Sequence, residues 1–139
     1  MIQVQELGVL AHHLESCSFV DVTKECLLRM SCGRYYYEVF HIVKTWLLRC
    51  YPQYLQDSGG ATHEQLRVCF DLLHTDKDDD LFNKVSMKLK VLHNIRTKAD
   101  YHPTQEFRIG NLTTIKIEKE RLKTLLIEIE GKYFSAKTA

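Results

Sequence analysis

Apolar residues along this chain recur every three to four positions in five stretches and almost nowhere alternate with polar ones, which predicts an all-α fold. Val4, Leu7, Ala11 and Leu14 form the stripe of a short first helix. A longer helix is expected after Asp21, read as its N-cap, running to about Cys50 with Leu27, Met30, Tyr36, Phe40, Val43 and Leu47 inward and Tyr51-Pro52 as its stop. Residues 56–61, which include Ser58-Gly59-Gly60, read as a loop. Thr62 and Gln65 stand at the spacing of a capping box, in which hydroxyl and amide satisfy backbone groups at a helix start, and the helix they open should bury Leu66, Cys69, Phe70 and Leu73. The next helix buries Phe82, Val85, Leu89, Leu92 and Ile95 and turns Lys84, Lys88 and Lys98 the other way. Pro103 disfavours helical geometry at His102, so this helix should end between Ala99 and Tyr101. Residues 104–111 are expected as an extended link with Phe107 and Ile109 tucked into the core. The last helix, from roughly Leu112 to Tyr133, puts Ile115, Leu122, Leu125, Leu126, Ile129 and Tyr133 on one side and leaves Glu118, Lys119, Glu120, Arg121 and Lys123 exposed. Two long helices and two or three shorter ones imply an up-down bundle of four or five helices.

A chain of 139 residues is long enough for one core and too short for two, so a single domain over 1–139 is expected. The net charge of +1 argues against general coating of nucleic acid but leaves room for a local basic strip. Lys84, Lys88, Lys90, Arg96 and Lys98 provide one, with no acidic residue from 84 to 98. The five cysteines are scattered without a Cys-x-x-Cys, as core thiols of a reducing compartment would be, and no histidine or cysteine stands at zinc-ligand spacing. Asp76, Asp78 and Asp80 begin like a calcium loop, but Leu81 and Met87 occupy the positions where glycine and a bidentate glutamate are needed, so Asp79 and Asp80 are read instead as caps of the following helix. No metal and no cofactor is expected. Met1 to Leu14 lacks the basic start of a signal peptide and no apolar run approaches a membrane span, so a cytoplasmic protein without a membrane partner is expected.

The chemistry concentrates between His93 and Pro103. Arg96 and His102 stand six residues apart at a helix end, and together they have what a metal-free cleavage of a phosphodiester requires. A guanidinium can hold a phosphate and stabilise its developing charge, and an imidazole can move the proton near neutral pH. Lys98 and Tyr101 lie beside them as a phosphate contact and a surface for a base to stack on. The competing structural reading makes Arg96 a helix-terminal residue satisfying the last carbonyls, and His102 a surface residue next to a proline. Arg34, set among Gly33 and three tyrosines on a largely buried helix, needs a charge partner, and Asp100 is the candidate. Their pairing would hold the catalytic turn against the first long helix.

Ser31 to His41 (Ser-Cys-Gly-Arg-Tyr-Tyr-Tyr-Glu-Val-Phe-His) resembles the Ser-Arg-x-Tyr-Tyr-x-x-Phe-His signature of the HEPN family, the "higher eukaryotes and prokaryotes nucleotide-binding" domains. Gly60 to Phe70 resembles that family's Gly-x-x-His entry to the next helix, and Arg96 to Tyr101 its Arg-x-x-Ala-Asp-Tyr ending. The likeness covers residues 20–134 and leaves residues 1–16 as an N-terminal helical extension. It implies a helical bundle that pairs as a two-fold homodimer. In the RNA-cleaving members an Arg-x4-6-His motif from each protomer meets its twin, and Arg96 and His102 fit that spacing, which would make this chain a metal-independent endoribonuclease leaving 2′,3′-cyclic phosphate ends, in a toxin–antitoxin or phage-defence setting. His41 would border the cleft of such a dimer and touch substrate. The chain departs from the nuclease members at Thr97, and from the branch modified by a nucleotidyltransferase at Pro103-Thr104, where the acceptor tyrosine is missing. The alternative the resemblance implies is a non-catalytic module that binds nucleotide or RNA and works with an antitoxin, a nucleotidyltransferase or another effector subunit.

Overall fold

The computed structural model describes residues 1–134 and builds them from six helices: α1 (Gln5–Ser16), α2 (Lys24–Cys50), α3 (Pro52–Asp57), α4 (His63–Lys77), α5 (Asp80–Tyr101) and α6 (Ile109–Phe134). Among the described residues there is no strand, only an isolated bridge between Phe19 and Val22. None of these helices is long and apolar enough to cross a membrane. The expected domain runs on to residues 135–139, which lie outside the described residues.

The chain divides into two units, and α2, α5 and α6 contribute residues to both. The first comprises residues 1–42 and 91–119, and buries Ala11, Leu28, Cys32, Val39, Leu92, Phe107 and Ile115 among others. Side-chain bonds from α2 and α6 fasten α1 in it. Ser31 Oγ donates to the Ala11 carbonyl at 2.7 Å, and Tyr35 Oη donates to Glu15, which also receives Lys116 Nζ at 3.0 Å. Glu38, only 6% exposed, is held by Lys119 Nζ at 3.1 Å. Lys119 is therefore no surface charge, as its place in a charged run suggested; its side chain is 12% exposed because a buried carboxylate needs it.

The second unit comprises residues 43–90 and those from 120 on. Here α3 and α4 pack together, and the Trp46 indole stacks on Phe70 with ring centroids 5.9 Å apart. The Thr62–Gln65 capping box is present, and Leu66, Cys69, Phe70 and Leu73 are buried as their spacing predicts. Asp78 ends α4 in the left-handed region at φ 50°. Asp79 accepts from the Leu81 N–H at 3.0 Å, capping α5, and also from Tyr133 Oη at 2.6 Å.

Several expectations need correction. Thr23, not Asp21, caps α2: its Oγ1 accepts from the Cys26 N–H at 3.1 Å. Met30 is 52% exposed, because the buried face of α2 follows Leu27, Leu28, Ser31 and Tyr35 instead. The stretch after Tyr51 continues as α3, with Pro52 in the first turn where its missing N–H costs nothing. Ile109 is 58% exposed and starts α6, while Phe107 is buried as expected.

Candidate functional site

The Arg96 side chain turns inward. It is 8% exposed, and its guanidinium lies over the rings of Tyr36, Tyr37 and Tyr101 at 5.7, 5.4 and 5.2 Å from their centroids. Nη2 donates to Tyr37 Oη at 3.1 Å. Nε stands 2.8 Å from Asp100 Oδ2, one helical turn on, a charge contact whose N–H is not aligned for a hydrogen bond. Burial opposes the charge, but Tyr37, Asp100 and Tyr101 outweigh it and raise the arginine pKa. The same pair reaches Cys32, whose thiol is pushed up to about 12 by burial and by Asp100, with Arg96 opposing. Asp100 thus belongs to Arg96. Among the described residues Arg34, expected to hold it, makes no ion pair; its guanidinium lies 5.0 Å over the Tyr37 ring and its Nε is buried without an acceptor.

The carbonyls at the end of α5 are satisfied by an arginine from another helix. Arg29 Nη1 donates to the carbonyls of Lys98, Ala99 and His102 at 3.0, 3.0 and 3.1 Å, and Nη2 to Gln105 and, at 3.2 Å, to Glu25. Glu25 also accepts from the Phe107 N–H at 2.8 Å; that bond first, and then Arg29, hold its carboxyl below the usual range. Arg29 lies 5.4 Å over the Phe107 ring. One i,i+4 pair on α2 therefore fastens the whole turn from 98 to 107. The only trace of this in the sequence is the Glu25–Arg29 spacing, which does not say what the pair will reach.

On that turn His102 is exposed, and its backbone rather than its ring is what the fold engages. Tyr101 is 63% exposed, with the Arg96 guanidinium against its ring. Lys98 is half-buried. No hydrogen bond, ion pair or ring contact joins Arg96 to His102. His41 is placed elsewhere, in an open cleft of about 330 Å³ lined by Ile2, Leu7, Arg34, Tyr37 and His41. The fold therefore separates the expected site residues into three places. The buried Arg96 pairs with the exposed Asp100, Lys98, Tyr101 and His102 sit at the end of α5, and Arg34 shares the cleft with His41. Among the described residues no three His, Cys, Asp or Glu side chains come together as a metal site. Compared with family models, curated proteins and solved structures, the chain matches none.

Proposed function

We propose that this chain is a HEPN-type helical module that binds single-stranded RNA at the C-terminal end of α5 without cutting it. Burial and pairing of Arg96 carry this reading. A guanidinium 8% exposed, with Asp100 at 2.8 Å and three tyrosine rings around it, presents little of its surface to a phosphate. Its role is to stiffen the turn and to back the Tyr101 ring, a cation under an aromatic face. The exposed tyrosine then offers its surface to a base, His102 lies next to it, and Lys98 supplies charge. Such a module works beside an effector, for which a nucleotidyltransferase or an antitoxin are the candidates the family resemblance supplies.

One observation favours a second reading, cleavage. His102 is exposed, on a turn held rigidly by Arg29, as a general base would have to be. The reaction would need a homodimer to bring a second His102 and a released Arg96 to the same phosphate.

Labelled single-stranded RNA in EDTA, followed by anisotropy and on gels, decides between them. Binding without cleavage is expected, weakened about tenfold by Tyr101→Ala, in line with the 1–3 kcal/mol that stacking on an aromatic contributes per base. Absence of binding refutes the proposal. Cleavage that disappears in His102→Ala at unchanged helicity, from a protein that sediments as a dimer, installs the nuclease instead.

A further inference from the structure

We infer that the cleft lined by Ile2, Leu7, Arg34, Tyr37 and His41 is a binding site for a compact phosphomonoester with an apolar body. It shares no residue with the RNA contact proposed above and does not depend on it.

Arg34 lines this cleft. The two carboxylates considered for it face other cations: Glu38, four residues on along α2, meets Lys119 through Oε1 at 3.1 Å, and Asp100 meets Arg96 through Oδ2 at 2.8 Å. Among the described residues the Arg34 Nε is buried with no acceptor, and the guanidinium lies 5.0 Å over the Tyr37 ring. A buried donor without an acceptor is costly, and beside an open cleft it is a point where an anionic ligand gains a hydrogen bond the fold does not supply.

The surroundings specify that ligand further. His41 lies seven residues beyond Arg34, two turns along the same face of α2, and lines the same cleft with an imidazole able to donate. The Arg96 guanidinium lies 5.4 Å from the centroid of the same Tyr37 ring but is paired with Asp100 and does not line the cleft. Asp100 offsets Arg96, so the charge facing the cleft is that of Arg34, and planar arginine nitrogens match phosphate oxygens. The other wall is Ile2 and Leu7, which offer no donor and suit a hydrocarbon body. About 330 Å³ is at the small end of ligand sites, enough for a ring and a phosphate.

Phenyl phosphate, inorganic phosphate and phenol serve as probes, titrated into the full chain by calorimetry and amide NMR. Phenyl phosphate should bind tighter than either of the others and shift the resonances of Leu7, Arg34 and His41. Its affinity should fall by about tenfold or more in Arg34→Gln and in His41→Ala, vanish in Leu7→Trp, which fills the cleft, and stay unchanged in His102→Ala. Should Arg34→Gln fail to fold, the His41→Ala and Leu7→Trp variants read the same outcome. The proposal is overturned if phenyl phosphate leaves those resonances in place, if phenol binds equally well, or if the folded cleft variants bind as wild type does.

Discussion

At the scale of residues, two arginines exchange the parts their positions suggest. Arg96 stands at a helix end, where a guanidinium could cap carbonyls or clamp a phosphate, yet it is enclosed by three tyrosines and paired with Asp100. The capping falls to Arg29, which lies 69 residues before the first carbonyl it binds. Arg29→Ala should therefore cost roughly 1.5–3 kcal/mol in denaturant unfolding, the range for hydrogen bonds to a charged group, and accelerate amide exchange from 98 to 107. Arg29→Lys should recover little of this, since a point charge cannot reach acceptors spread over a fork. Unchanged exchange in Arg29→Ala would show that the turn stands by itself. The residue types at the candidate site were legible in the sequence; which charge meets which was not, because a long side chain selects its partner from whatever the packed helices bring within about 3 Å.

At the scale of elements, periodicity carries far when a helix buries one clean face. α4 is the clearest case: its capping box and its four buried residues all follow from spacing. It fails for α3, six residues with Pro52 at the start, too short to show a period. It also leaves unread the way α1 docks, where Gly8 is decisive. A Cβ there would lie 1.8 Å from Glu38 Oε2, so the backbone of α1 comes as close to the buried carboxylate as only glycine allows. Two effects of Gly8→Ala oppose each other. Helix propensity favours alanine by about 1 kcal/mol, while overpacking costs about 1–3 kcal/mol and involves a carboxylate that must keep its bond to Lys119. We expect net destabilisation in wild type and stabilisation when Glu38 is already alanine, a coupling that a double-mutant cycle measures. Equal effects in the two backgrounds would place Glu38 away from Gly8.

At the scale of the whole molecule, a net charge of +1 leaves stability to local carboxylates, and several of these ionise more easily in the fold than outside it. Asp79 is lowered from 3.8 to about 2 by Lys132, by Tyr133 and by the Leu81 N–H. Glu25 is lowered by the Phe107 N–H and by Arg29, and Glu106 by Arg108. In Glu15 burial works in the other direction, but Tyr35 and Lys116 more than offset it. A depressed carboxylate contributes its full stability above its unfolded pKa and loses it as pH falls through the folded one. Melting temperature should thus hold from neutral pH to about 4.5 and then fall towards pH 2, and Asp79→Asn should flatten the lowest part of that limb. A flat profile in wild type down to about pH 2 would contradict these shifts. The sequence alone determined that the chain is helical, where α4 begins and where α5 ends, because hydrophobic period, capping residues and proline act over a few neighbours. Only the tertiary structure decided that Arg96 is bound inside, that Arg29 holds the turn of His102, and that Arg34 is left with His41 beside an open cleft. Those outcomes depend on which long side chains find a counter-charge once the helices have packed, and that competition is between residues far apart in the chain.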